Sequence, residues 1–89
     1  MPTFHLLIKG KVQGVFYRAT AKEVADETGI TGWIKNTDEG DVEAVVTGNE
    51  KQLQLFVTWC RHGPRRATVL EVISTEKEKT IFKDFAVIR

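Results

Sequence analysis

Gly10-Lys11-Val12-Gln13-Gly14-Val15-Phe16-Tyr17-Arg18 is the segment whose residue types are hardest to explain as scaffolding. It lies between an alternating stretch and a helical pattern that begins at Arg18. A loop feeding a helix N-terminus gathers backbone N–H groups that lack an intrahelical acceptor. The helix dipole adds roughly +0.5 charge there. Asp or Glu suits such a place, yet the sequence puts Arg18 in the first turn and Lys11 in the loop. Two cations at a positive helix end repel unless an anion completes them. The plainer alternative is an Arg18 that points into water. A planar guanidinium forks onto two oxygens, and loop amides can hold the rest of a tetrahedral group. Gly14, without a Cβ, lets the backbone approach closely. Phosphate, or a phosphoryl group, is the expected guest.

Asn36 is the second polar candidate. It ends a strand-like stretch, Ile30 to Asn36, just before the turn Thr37-Asp38-Glu39-Gly40. An Asx bond that starts the turn would account for it. A side-chain amide close to the loop could instead hold a water near phosphorus. The other reactive residue types point to structure. His5 alternates to the face opposite Phe4 and Leu6, which predicts a solvated strand position. His62 suits a helix end, and Cys60 belongs to an apolar helical stripe. Arg61, Arg65 and Arg66 read as a solvated helix end and loop. No serine stands in a G-x-S-x-G setting, and the glycine loop lacks the G-K-[ST] ending of a Walker motif.

The elements that must position these residues are legible from period and punctuation. Phe4, Leu6 and Ile8 alternate as a strand. Gly10 to Tyr17 reads as a loop, and Arg18 to Thr28 as a helix with Ala21, Val24, Ala25 and Thr28 on one side. Gly29 is a C-terminal cap. Ile30 to Asn36 and Asp41 to Thr47 form an antiparallel hairpin around Gly40. Asn49 and Gln52 make a capping box. Leu53, Phe56, Val57 and Cys60 follow at i, i+3, i+4 and i+7. Gly63 and Pro64 stop that helix. Thr68 to Thr75 is β-branched, and Phe82 to Ile88 is a short final strand or edge. The order is strand-helix-strand-strand-helix-strand, a split β-α-β arrangement. It predicts an α+β, ferredoxin-like two-layer sandwich (βαββαβ). Its four-stranded antiparallel sheet carries both helices on one face, with a possible short fifth strand. The first and third strands lie centrally and the second beside the third, so the end of the second falls near the loop after the first.

Composition sets the outer limits. The chain has 89 residues, with 42% hydrophobic and 28% charged. One domain, 1-89, follows from that length. A net charge of +1 argues against a polyanion binder held by bulk charge. The third strand, Asp41 to Thr47, is acidic and lacks the aromatics on which an RNA-recognition domain stacks bases. One cysteine allows no internal disulfide and no thiolate metal site. No apolar run approaches the length of a membrane span, and Met1-Pro2-Thr3-Phe4 does not look like a signal peptide. The expected setting is the cytoplasm, as a monomer, without nucleic acid, membrane, metal or cofactor.

At this point two motifs add a resemblance. Gly10 to Arg18 resembles the acylphosphatase loop signature G-x-V-Q-G-V-x-F-R. Gly32-Trp33-Ile34-Lys35-Asn36, with Gly40, Val42 and Gly48, is similar to that family's second signature, and Phe85-x-Val87 to its closing strand. The resemblance spans essentially the whole chain, with Tyr17 where Phe is usual. It implies a hydrolase acting on acid anhydrides. The reaction would be metal-independent hydrolysis of the carboxyl-phosphate bond of small acyl phosphates, giving a carboxylate and inorganic phosphate. Carried over, Arg18 and Asn36 would be catalytic, Arg18 on the phosphoryl oxygens and Asn36 on the attacking water. Gln13, Gly14, Val15, Phe16 and Tyr17 would complete the phosphate-binding loop with Arg18. The alternative is a non-catalytic ferredoxin-like module that keeps an anion pocket.

Overall fold

In a computed structural model describing residues 1–89, the elements run β1 (Thr3–Lys11), α1 (Tyr17–Thr28), β2 (Thr31–Asn36), β3 (Val42–Thr47), α2 (Glu50–His62), β4 (Thr68–Lys77) and β5 (Phe85–Val87). The sheet order is β4-β1-β3-β2-β5. β1 pairs antiparallel with both β3 and β4, and β2 pairs antiparallel with β3. β1 and β2 therefore point the same way and end at the same edge of the molecule, as expected. Leu6, Ile8, Ile34, Ala44 and Val46 from the strands share one core with Ala21 and Ala25 of α1 and with Leu53, Phe56 and Cys60 of α2. Period-2 alternation turns one sheet face toward the helices. From Ile34 the same alternation puts Asn36 on that face.

The fifth strand corrects the expected antiparallel sheet. β5 pairs parallel with β2, Gly32 opposite Phe85 and Ile34 opposite Val87, so the sheet is mixed. The reason lies in the passage between β4 and β5. β4 ends where β1 begins, with Thr3 opposite Lys77. The chain then crosses that one end of the sheet without climbing it. Thr80 pins the crossing: its N–H donates to Thr3 Oγ1 at 2.9 Å, and Thr47 Oγ1 donates to its carbonyl at 2.7 Å. Arriving at the end where β2 starts, the last strand must run in β2's direction. Its far end then reaches the level of Asn36. Phe85 anchors it in the core, 5.7 Å from the Phe56 ring.

The caps form as the sequence predicts. Asn49 accepts from the Gln52 N–H and Gln52 Oε1 accepts from the Asn49 N–H, both at 2.8 Å. Gly29 ends α1 with φ +85° and Gly63 ends α2 with φ +68°. Two expectations shift. Strand β1 runs on through Gly10 to Lys11, so the loop is shorter than predicted. His5 is half-buried rather than freely solvated, because Glu43, diagonal to it on β3, meets its Nε2 at 2.7 Å.

Tyr17 gives the largest local surprise. Its hydroxyl is buried and donates to the Cys60 carbonyl at 2.7 Å. That carbonyl lies in the last turn of α2, where no intrahelical donor remains. One aromatic hydroxyl thus caps α2 while its ring packs 5.1 Å from Trp59. Burial raises the tyrosine pKa far above its ordinary value and pushes the Cys60 thiol up to about 12, so both keep their protons at neutral pH. Tyr17→Phe leaves the carbonyl unpaired. It should lower stability by about 1–3 kcal/mol, measured as a shift of the urea midpoint at unchanged slope.

Candidate active site

Gly10 makes the exit from β1. Its φ is +133°, the register slips by a bulge between Lys9 and Gly10, and a Cβ there would stand 2.1 Å from the Thr68 carbonyl oxygen. Beyond it, Val12 and Val15 sink into the core at 1% and 5% exposure and staple the loop down. Gly14 between them and Phe16 after them are exposed. Gly14 has φ +74°, and Phe16 is left-handed at φ +66° although it carries a side chain. That conformation costs a non-glycine residue on the order of 1–2 kcal/mol. Phe16 is the N-cap of α1 but makes no side-chain cap, and its ring is exposed.

One consequence is electrostatic. From Gln13 through Ala19, no backbone N–H donates to a carbonyl or a side chain of the protein. The first turn of α1 contains no acidic residue. A run of unpaired N–H groups curled through left-handed residues forms an anion-binding concavity, with the helix dipole behind it.

A cavity of about 650 Å³ opens over this turn, and Gly14, Phe16, Arg18, Asn36, Val87 and Arg89 are among its walls. No acidic side chain lines it. The ion pairs of the molecule are His5–Glu43, Lys9–Asp41, Lys22–Asp26 and Lys35–Glu43, and Arg18 joins none of them. Arg18 does not splay away either. Its Nη1 donates to the Ile88 carbonyl at 3.1 Å. Ile88 in turn donates its N–H to the Ile34 carbonyl at 2.8 Å. The segment after β5 therefore straps the guanidinium to β2, two residues before Asn36. A guanidinium has five N–H donors, and one neutral carbonyl leaves most of them free.

Asn36 does not start an Asx turn. The hairpin closes through Thr37, whose N–H donates to the Asp41 carbonyl at 2.9 Å and whose Oγ1 accepts from the Asp41 N–H at 3.0 Å. Asn36 Oδ1 is buried, and nothing in the protein donates to it. Such an acceptor costs about 1–3 kcal/mol where it stays unpaired. Asn36 as a residue is among the walls of the same cavity as Arg18.

A model of the acylphosphatase family matches residues 4–87. The chain belongs to that family. It is 48% identical over 83 residues to an acylphosphatase of Marinobacter nauticus, covering 92% of this chain and 90% of the relative. It is 42% identical to one from Methylococcus capsulatus, covering 100% and 98%. The crystal structure of acylphosphatase from Bacillus subtilis superposes with a TM-score of 0.95 at 31% identity, covering both chains fully. Family membership makes this an acylphosphatase, a hydrolase of acid anhydrides.

The structure brings some of the expected loop residues to the cavity wall and leaves others to contribute only through their main chain. Gly14, Phe16, Tyr17, Arg18 and Asn36 do come together around the cavity. Gln13 and Val15 are not among the lining residues. Val15 faces the core, and the Gln13 side chain is used up on the hairpin beside it. What these two can present to a ligand is their main-chain N–H. Lys11 stays on the strand opposite Thr68, exposed, and is not part of the wall. Val87 and Arg89 are walls that residue patterns did not single out. Only the parallel pairing of β5 brings them there, and a short terminal strand carries no periodic signal of its pairing direction.

Proposed function

We propose that Arg18 and the main-chain N–H groups from Gln13 to Ala19 hold the phosphoryl group of a small acyl phosphate, while Asn36 orients the attacking water. The observation that carries this reading is that the Asn36 carboxamide shares one cavity wall with an unneutralised arginine and a run of unpaired amides. A side-chain amide both donates and accepts, so it can hold a water in a fixed orientation. With the Asn36 carboxamide hydrogen-bonded to it, the water turns a lone pair toward phosphorus. The water oxygen bonds to phosphorus, the bond from phosphorus to the acyl oxygen breaks, and its electron pair leaves with the carboxylate. A water proton ends on a phosphoryl oxygen, giving inorganic phosphate.

Few groups are needed. The leaving carboxylate is a weak base, with a conjugate acid near pKa ~4–5 like the side-chain carboxyls, so no general acid has to protonate it. Phosphoryl transfer runs through a loose state that asks for positioning and charge stabilisation. Fixed amides and a guanidinium supply the second, and Asn36 the first. On this reading no metal takes part. We also infer a cytoplasmic setting from the single cysteine, Cys60, kept buried as a free thiol.

The test is hydrolysis of benzoyl phosphate by the purified protein, with p-nitrophenyl phosphate as the ester control. The anhydride should be turned over with or without excess EDTA, and the ester should be left nearly untouched. A rate that EDTA abolishes and divalent metal restores would remove the metal-free mechanism.

A further inference from the structure

Gln13 Nε2 donates to two carbonyl oxygens at once, Thr37 at 2.8 Å and Asp41 at 2.8 Å. Both carbonyls belong to the turn of the β2–β3 hairpin, which begins at the residue after Asn36. Neither depends on Gln13 for a partner. The Asp41 carbonyl already accepts from the Thr37 N–H at 2.9 Å, and the Thr37 carbonyl from the Gly40 N–H at 3.3 Å. The hairpin is therefore closed by its own backbone, and the glutamine's two bonds are additional to that closure. They run between the first residue of the unpaired N–H segment and the hairpin turn next to Asn36. β1 and β2 are not neighbours in the sheet, since β3 lies between them. Across that gap the loop and the end of β2 have no strand ladder to hold them in register.

We propose that Gln13 is a positioning residue that sets the distance between the phosphate-holding loop and Asn36, and so the line from water to phosphorus. The proposal rests on the roles given above to the loop and to Asn36. An amide is suited to this task because it offers two N–H donors in one plane and carries no charge that would disturb the anion site. Misplacement by about 1 Å can cost on the order of 10²-fold in rate, so a clasp away from the reacting atoms can matter to turnover. Ground-state phosphate binding draws on the amides and Arg18 alone and does not feel the position of Asn36.

The experiment is a double-mutant cycle on benzoyl phosphate hydrolysis with Gln13→Met, Asn36→Ala and the pair, together with inhibition by inorganic phosphate and thermal unfolding. Gln13→Met keeps the length of the side chain and removes both donors. It should lower kcat by about 10–10²-fold, with the phosphate inhibition constant changed less than about threefold and the unfolding midpoint nearly unchanged, since the hairpin closes without it. In the Asn36→Ala background the same substitution should cost almost nothing further, because residues acting through one another are non-additive. An unchanged kcat in Gln13→Met, or a loss that is fully additive with Asn36→Ala, overturns the proposal. A large loss of phosphate inhibition does so as well, by moving Gln13 to the binding side. If Asn36→Ala itself keeps wild-type kcat, what fails is the role given to Asn36, a distinct result from the same cycle.

Discussion

Arg18→Ala should lower kcat/KM for benzoyl phosphate by about 10²–10³-fold or more, the loss seen when a fixed donor to a developing oxyanion is removed. It should also weaken inhibition by inorganic phosphate, because the guanidinium already holds the phosphoryl oxygens in the ground state and holds them more tightly as charge develops in the transition state. Stability should move differently. Arg18 sits in the first turn of α1, where a cation opposes the helix dipole, and no carboxylate offsets it. Its one hydrogen bond, to the Ile88 carbonyl, is exposed. Removing the side chain should leave the unfolding midpoint unchanged or slightly higher. Arg18→Lys separates charge from shape. A lysine keeps the cation but loses the fork that meets two oxygens and the planar donor set that reaches Ile88 at the same time. It should recover part of the phosphate inhibition and little of the turnover. Wild-type turnover in Arg18→Ala would end the assignment.

Much of this site could be read from residues alone, for a physical reason. Arg18 stands out because its charge contradicts the dipole of the helix it begins, and contradictions of local rules gather where a ligand resolves them. The strand order followed from element order and alternation, so the meeting of Asn36 with the loop was also foreseeable. Three features were not. The strain at Phe16 needs a backbone angle, and its sequence neighbours do not announce one. The strap from Arg18 through Ile88 to Ile34 depends on a parallel β5, whose direction is decided by Thr80 docking on Thr3 and Thr47, far away in sequence. The two bonds of Gln13 join a loop to a hairpin across an intervening strand, and no periodic pattern encodes such a contact. Local pattern thus reveals which groups face the ligand. The contacts that hold them at working distance are tertiary.

Asn36→Ala is expected to reduce kcat by about 10²-fold or more, the scale of losing an oriented reactant. Phosphate inhibition should stay nearly intact, since the amides from Gln13 to Ala19 and the Arg18 guanidinium are untouched. The same substitution removes a buried acceptor that has no partner in the protein. That acceptor costs about 1–3 kcal/mol while unpaired, so the alanine variant should unfold at an equal or higher urea concentration than the parent. A fall in rate joined to a gain in stability is the signature of a group kept for chemistry rather than for packing. Asn36→Asp distinguishes the acceptor from the amide as a whole. It keeps an oxygen in place, but sets a negative charge beside the phosphoryl dianion. Phosphate inhibition should then weaken sharply, whereas in the alanine variant it should not. If Asn36→Ala instead loses phosphate affinity in step with kcat, the side chain binds the anion and the water must be held by another group in the wall.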